Sequence, residues 1–160
     1  VLGGTGGDGI KTGTVELDTV CLLVATTLTV GSSTIDLIGV VLGSPSHTEL
    51  EAAVRQLLTS AMQGFRDVTL VTAGERFGEY SSDWEDDSTA VAAQSASIVV
   101  WAGTPVTMSV RMDPISTGEL GQRVGSVTFT TDGVTTTVPL TLDDPLDDPG
   151  PWWRLTHPFG

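Results

Sequence analysis

Lys11, Thr12, Gly13 and Thr14 are the residues whose types and spacing most invite chemistry. Lys11 is the only lysine of a 160-residue chain that holds 7 basic side chains in all. A fixed positive charge, a hydroxyl and a position free of any side chain, in immediate succession, suit one wall of an acyl-transfer site. The plainer reading is that the lysine caps a strand edge and Thr-Gly is ordinary turn chemistry. Three residues do not separate the two readings; their surroundings do.

Little else in the chain competes for a chemical role. Cys21 is the single cysteine and has no partner for an internal disulfide, so within Val20-Cys21-Leu22-Leu23 it reads as a small buried hydrophobe. His47 and His157 have no Cys or His neighbour at ligand spacing, so both are expected to be exposed, and neither a metal nor a cofactor is expected. The acidic clusters "DWEDD" (83–87) and "LDDPLDDP" (142–149) lack the alternating ligands and central glycine of a calcium loop. They read as solvated turns.

Composition narrows the partners. With 20 acidic residues against 7 basic ones the net charge is −13, which argues against nucleic acid or an anionic membrane surface. The charge is uneven: residues 1–66 carry three basic and six acidic side chains, residues 67–160 four and fourteen. That asymmetry suggests two units, 1–66 and 67–160. No apolar run approaches the roughly 18 residues of a membrane span, so no transmembrane segment is expected. Nor does a signal peptide open the chain at Val1.

The elements that must position the motif follow from periodicity. Residues near Ile10 to Val15 read as a strand beside two β-branched apolar runs, "CLLVATTLTV" and "TIDLIGVVLG". These two are joined at Gly31-Ser32-Ser33 as a hairpin. Ser46 followed by Glu49 is a capping-box pattern. Leu50, Val54, Leu57, Leu58 and Ala61 then repeat at helical spacing, with Gly64 as a stop, which predicts a helix over 47–63. Beyond Arg66 the texture is short alternating strands: "DVTLVTAG", "SASIVVWAG" and "PVTMSVRM", with Val106, Met108, Val110 and Met112 the clearest set. "SVTFT" and "TTTVPLTL" around Asp132-Gly133 predict a further hairpin. This half reads as a small all-β sandwich. Its tail, with Trp152, Trp153, His157 and Pro158, reads as an extended segment laid over the sheet with its indole rings buried.

Asp8-Gly9-Ile10 precedes Lys11-Thr12-Gly13, Thr14 follows, and then come the hairpin, the phrase "IGVVLGS" and an amphipathic helix ending in Gly-Phe. This succession resembles the C-terminal part of the low-molecular-mass penicillin-binding proteins, the serine-type D-alanyl-D-alanine carboxypeptidases. Their Asp-Gly-(Ile/Val)-Lys-Thr-Gly strand is likewise followed by a hairpin, a Val-Val-Leu-Gly-like strand, a closing helix and a small β-rich domain. The resemblance covers residues 8–66 and extends more loosely over 67–160. The absence of Asn and the single Lys look like an actinobacterial version. The fold it implies is α+β: a partial penicillin-binding, β-lactamase-like antiparallel sheet with one closing helix, followed by a small all-β sandwich-like domain.

The resemblance also implies roles. Lys11 would assist proton transfer and stabilise charge, Thr12 would hold the carboxylate of a peptidoglycan stem peptide, and Gly13 would leave room for the substrate backbone. The Thr14 backbone N–H would be an oxyanion donor. The family's nucleophile lies in a Ser-x-x-Lys box and its second element is Ser-x-Asn. With Lys11 the sole lysine the first would require a serine where Asp8 stands, and without Asn the second is impossible. The chain by itself is therefore expected to be inactive, and to be the C-terminal segment of a larger, extracytoplasmic precursor in the cell envelope or secreted.

Two finer departures stand out. Leu17-Asp18-Thr19 replaces the family's usual Ala-Gly, and Leu50 to Ala53 occupy positions where many members carry an Arg. One helix covers one sheet face, so the other is expected to be exposed, or covered by the missing N-terminal portion or a second copy. The alternative readings are a non-catalytic cell-envelope interaction or dimerisation module derived from that fold, and a carbohydrate-binding or adhesive β-sandwich.

Overall fold

The computed structural model describes residues 19–82, 84, 86–153 and 155–156 in full, and residues 10–15 and 154 through their backbone. The approach to the motif (1–9), residues 16–18, Asp83, Glu85 and the tail from His157 lie outside the described residues. The chain divides into two compact units, 1–68 with 99–102, and 69–98 with 103–160. The boundary near residue 66 expected from charge falls inside a strand, because β4 (Phe65–Val71) begins directly at the helix end.

In the first unit β1 (Ile10–Val15), β2 (Thr19–Val30) and β3 (Ser33–Ser44) form an antiparallel sheet in that order. β2 and β3 meet at a two-residue turn, where Val30 pairs with Ser33 and Gly31 has φ 61°. A II′ turn needs that left-handed φ at its first central position, and glycine supplies it without steric cost. The register of β2 against β3 slips between Val20 and Leu22, where the single residue Cys21 faces two residues of β3, Leu42 and Gly43, so the bulge lies on β3; Cys21 is half-buried, not the buried hydrophobe expected.

Helix α1 (His47–Gly64) follows. The Ser46 hydroxyl accepts the Glu49 backbone N–H at 3.2 Å, the capping bond the sequence announces. His47 is exposed. Leu50 and Val54 are buried, and Leu58 and Ala61 half-buried, so the apolar stripe faces the sheet.

Gly64 ends the helix for a different reason from the one expected. Its φ is not left-handed; instead a Cβ built there would run into the ring of Trp101. That ring sits edge-on to Phe65, with centroids 5.2 Å apart. Gly64 is therefore a packing glycine, and Phe65 closes the helix with its N–H on the Ala61 carbonyl.

β4 and β7 (Ala96–Trp101) pair as a two-stranded ribbon. The second unit holds a five-stranded antiparallel sheet of β5 (Arg76–Ser81), β6 (Asp87–Ala92), β10 (Val134–Leu142), β9 (Arg123–Thr131) and β8 (Thr107–Met112), in that spatial order. Its core joins Val124, Val127, Phe129, Val138, Leu140 and Leu142 from the central strands to Leu70, Val71 and Ala96 across the layer. This is a small sandwich-like β unit, and the α+β class with one closing helix stands. Asp132 and Gly133 both take positive φ, 41° and 80°, as the I′ hairpin turn demands.

Three expectations for this unit are corrected. β5 and β6, not expected from the sequence, are strands that pair with each other as a hairpin, Ser81 opposite Asp87, while β6 also pairs with the distant β10. β8 is the strand anticipated, but Met108 and Val110 are 59% and 41% exposed, because β8 is the edge strand of its sheet. The tail is a short helix, α2 (Gly150–Thr156), instead of an extended segment. Pro151 suits a first helical turn, and the Asp148 carboxylate accepts the Gly150 N–H at 2.8 Å. Trp152 is 78% exposed, so its ring is not buried as expected.

Candidate functional site

The motif strand β1 is an edge of its sheet, with β2 on one side. Lys11 stands opposite Leu23, Thr12 opposite Leu22, Gly13 opposite Cys21 and Thr14 opposite Val20. Residues directly opposite in an antiparallel pair share a face. Val24 and Gly39, themselves paired, lie on the side of α1, since a Cβ on Gly39 would lie 2.9 Å from Val24 and 3.6 Å from Leu57. Val20 and Val24 are buried on that side, whereas Leu23 is 45% exposed. By register the backbone of Thr12 and Thr14 stands beside the helix-side residues Leu22 and Val20, and that of Lys11 beside Leu23, which is on the opposite face.

That opposite face is open. Along β3, Ile35, Leu37, Gly39 and Val41 are half-buried while Ile38, Val40 and Leu42 are exposed, at 77%, 56% and 73%. The apolar residues of β3 are thus partly buried on one face only, and the other is exposed among the described residues. Between α1 and the sheet an apolar cleft of about 160 Å³ is lined by Val24, Leu37, Gly39, Leu57, Leu58 and Ala61.

The hairpin tip is tied down within the same unit. The Asp67 carboxylate accepts the Ser32 backbone N–H at 3.1 Å and its hydroxyl at 3.2 Å. This contact, invisible in the sequence, fixes the far end of the strands on which β1 rests.

The acidic clusters are more than solvated turns. Asp86 Oδ2 accepts the Asp147 N–H at 2.6 Å, Asp143 Oδ1 accepts the Thr89 N–H at 2.7 Å, and the Ser88 hydroxyl donates to the Asp144 carbonyl at 2.6 Å. Trp84 donates its indole N–H to the Asp147 carbonyl at 2.8 Å and meets Trp153 at a ring distance of 5.8 Å. The two turns are laced together beside a polar cleft of about 430 Å³ reached by Arg76, Glu79, Asp87 and Asp143. Among the described residues no group of three His, Cys, Asp or Glu is placed to hold a metal ion. No helix among them is long and apolar enough to cross a membrane.

No protein-family model matches the chain. No curated protein sequence matches it either. Solved structures do. Penicillin binding protein 5 from Haemophilus influenzae is 21% identical with a TM-score of 0.45, over 88% of this chain and 42% of that one. The D-alanyl-D-alanine carboxypeptidase DacD from Francisella tularensis is 21% identical with a TM-score of 0.46, over 88% and 36%. A peptidoglycan synthesis regulatory factor from Streptococcus pneumoniae is 21% identical with a TM-score of 0.46, over 89% and 42%. The chain spans about two fifths of the length of these proteins. At TM-scores below 0.5 these are likenesses of outline only.

Proposed function

We propose that the chain is the C-terminal segment of a serine-type D-alanyl-D-alanine carboxypeptidase acting on peptidoglycan stem peptides outside the cytoplasm. In this reading it supplies the Lys-Thr-Gly wall of the acyl-transfer site while the nucleophile comes from polypeptide upstream. The observation that carries the reading is the occurrence of Ile-Lys-Thr-Gly-Thr on an edge strand, preceded in sequence by Asp-Gly and backed by a hairpin and one capped helix. An edge strand leaves backbone N–H and C=O groups free to align an extended peptide, as strand-addition recognition requires.

The division of labour follows from the residue types. Lys11 provides a fixed positive charge for proton transfer from the attacking serine and for the developing anion. Thr12 anchors the terminal carboxylate of the stem peptide through its hydroxyl. Gly13 leaves the space in which the peptide backbone lies along the strand. The Thr14 backbone N–H is one oxyanion donor, and one such donor lowers a barrier by on the order of 3 kcal/mol. Without Ser-x-x-Lys and Ser-x-Asn the chain holds no attacking group of the family's kind. The N-terminal portion of the same protein then covers the open face with Ile38, Val40 and Leu42.

The test uses the whole gene product and fluorescent penicillin. The product containing this chain should carry an upstream Ser-x-x-Lys and Ser-x-Asn and become labelled, and the 160-residue chain alone should not. Lys11→Ala in the whole product should slow labelling by roughly 100-fold or more, the usual loss when a proton-transfer group is removed. An upstream frame without Ser-x-x-Lys, or Lys11→Ala labelling at the parent rate, overturns the reading.

A second reading draws on the open apolar face itself. In a non-catalytic envelope module that face would be the interface with a partner or a second copy, and the isolated chain would dimerise through it.

A further inference from the structure

We draw no further inference here: the strongest candidate, the exposed Leu23, Ile38, Val40 and Leu42 face of the β1–β2–β3 sheet, is an unpartnered apolar surface, and nothing in the structure shows what covers it.

Discussion

The two units solve the burial problem to different degrees. In the second, ten hydrophobic residues form one buried cluster, eight of them from the adjacent strands β6, β9 and β10. In the first, the buried hydrophobic residues among those described are Val20, Val24, Leu50 and Val54, while Leu23, Ile38, Val40 and Leu42 stand open. A buried Leu, Ile or Val contributes about 1.5–3 kcal/mol over an exposed one. The first unit therefore forgoes several such contributions that the second collects. A sheet with one helix is half of a layered structure, and its strands are written for two covers. The second unit closes on itself; the first leaves one apolar sheet face uncovered among the described residues.

The largest effect expected separates the two directly. Leu140→Ala, at a fully buried position of β10, should cost about 2–5 kcal/mol in urea unfolding, with amide exchange accelerated across β9 and β10. Ile38→Thr in the isolated chain should change stability by no more than about 0.5 kcal/mol, as for other surface substitutions. In the whole gene product the same substitution should cost about 1.5–3 kcal/mol if the N-terminal portion covers the face as proposed. Equal losses for Leu140→Ala and Ile38→Thr in the isolated chain would break the comparison, by showing the first face already buried in solution.

Open overall does not mean loose locally, and Gly64 sharpens that point. Replacing glycine by alanine inside a helix ordinarily gains about 0.5–1 kcal/mol. Here the added Cβ meets the Trp101 ring, which must give up its edge contact with Phe65. Gly64→Ala should therefore destabilise by about 1–3 kcal/mol, the range for overpacking, opposite in sign to propensity. Adding Trp101→Leu should remove that penalty. If Gly64→Ala alone is neutral or stabilising, the contact does not constrain the helix end.

Ser46→Ala probes the other end of the same helix. The hydroxyl bond to Glu49 N–H spans three residues and needs no cover from elsewhere. Its loss should cost about 1 kcal/mol in the isolated chain and in the whole product alike, measured by thermal unfolding.

That difference between local and distant causes also decides what the sequence discloses. The α1 cap, the Gly31 turn and the Asp132-Gly133 turn are legible because each is satisfied within a few residues of itself. β5 and β6 are not: "RFGEYS" and "DSTAVA" lack a run of branched residues, and their hairpin is held in the sheet by the distant Leu140↔Ala92 pairing. Gly64 is recognisable as a helix end, yet its cause, the Trp101 ring, arrives from β7. The lacing of Asp86 and Asp143 to the opposite turn is likewise long-range. For the candidate site, the motif and its strand are readable, and β1 sits where the hairpin needs it. Which groups would complete the chemistry is not, since no Ser-x-x-Lys or Ser-x-Asn accompanies the motif.

The smallest effect tests how closed the second unit is at its rim. The Tyr80 hydroxyl lies 2.7 Å from the Asp113 carbonyl oxygen and 3.0 Å from that of Val124, so β5 is tied to the far side of its unit by one phenol. Burial raises the phenol's pKa above its ordinary 10.0, and the negative charge of Asp113 adds to the rise. A folded pKa above the unfolded one means that the unfolded chain loses its proton first. The contribution is then complete below about pH 10 and is lost as pH climbs through the folded value. Tyr80 is the chain's single tyrosine, so absorbance titration of the phenolate reads this group alone, and its midpoint should lie above that of the urea-unfolded chain. Tyr80→Phe should cost about 0.5–1.5 kcal/mol at neutral pH and flatten the alkaline fall in stability. A midpoint equal to the unfolded one would mean that solvent reaches the phenol freely, and that the second unit is as open at this rim as the first is across its sheet.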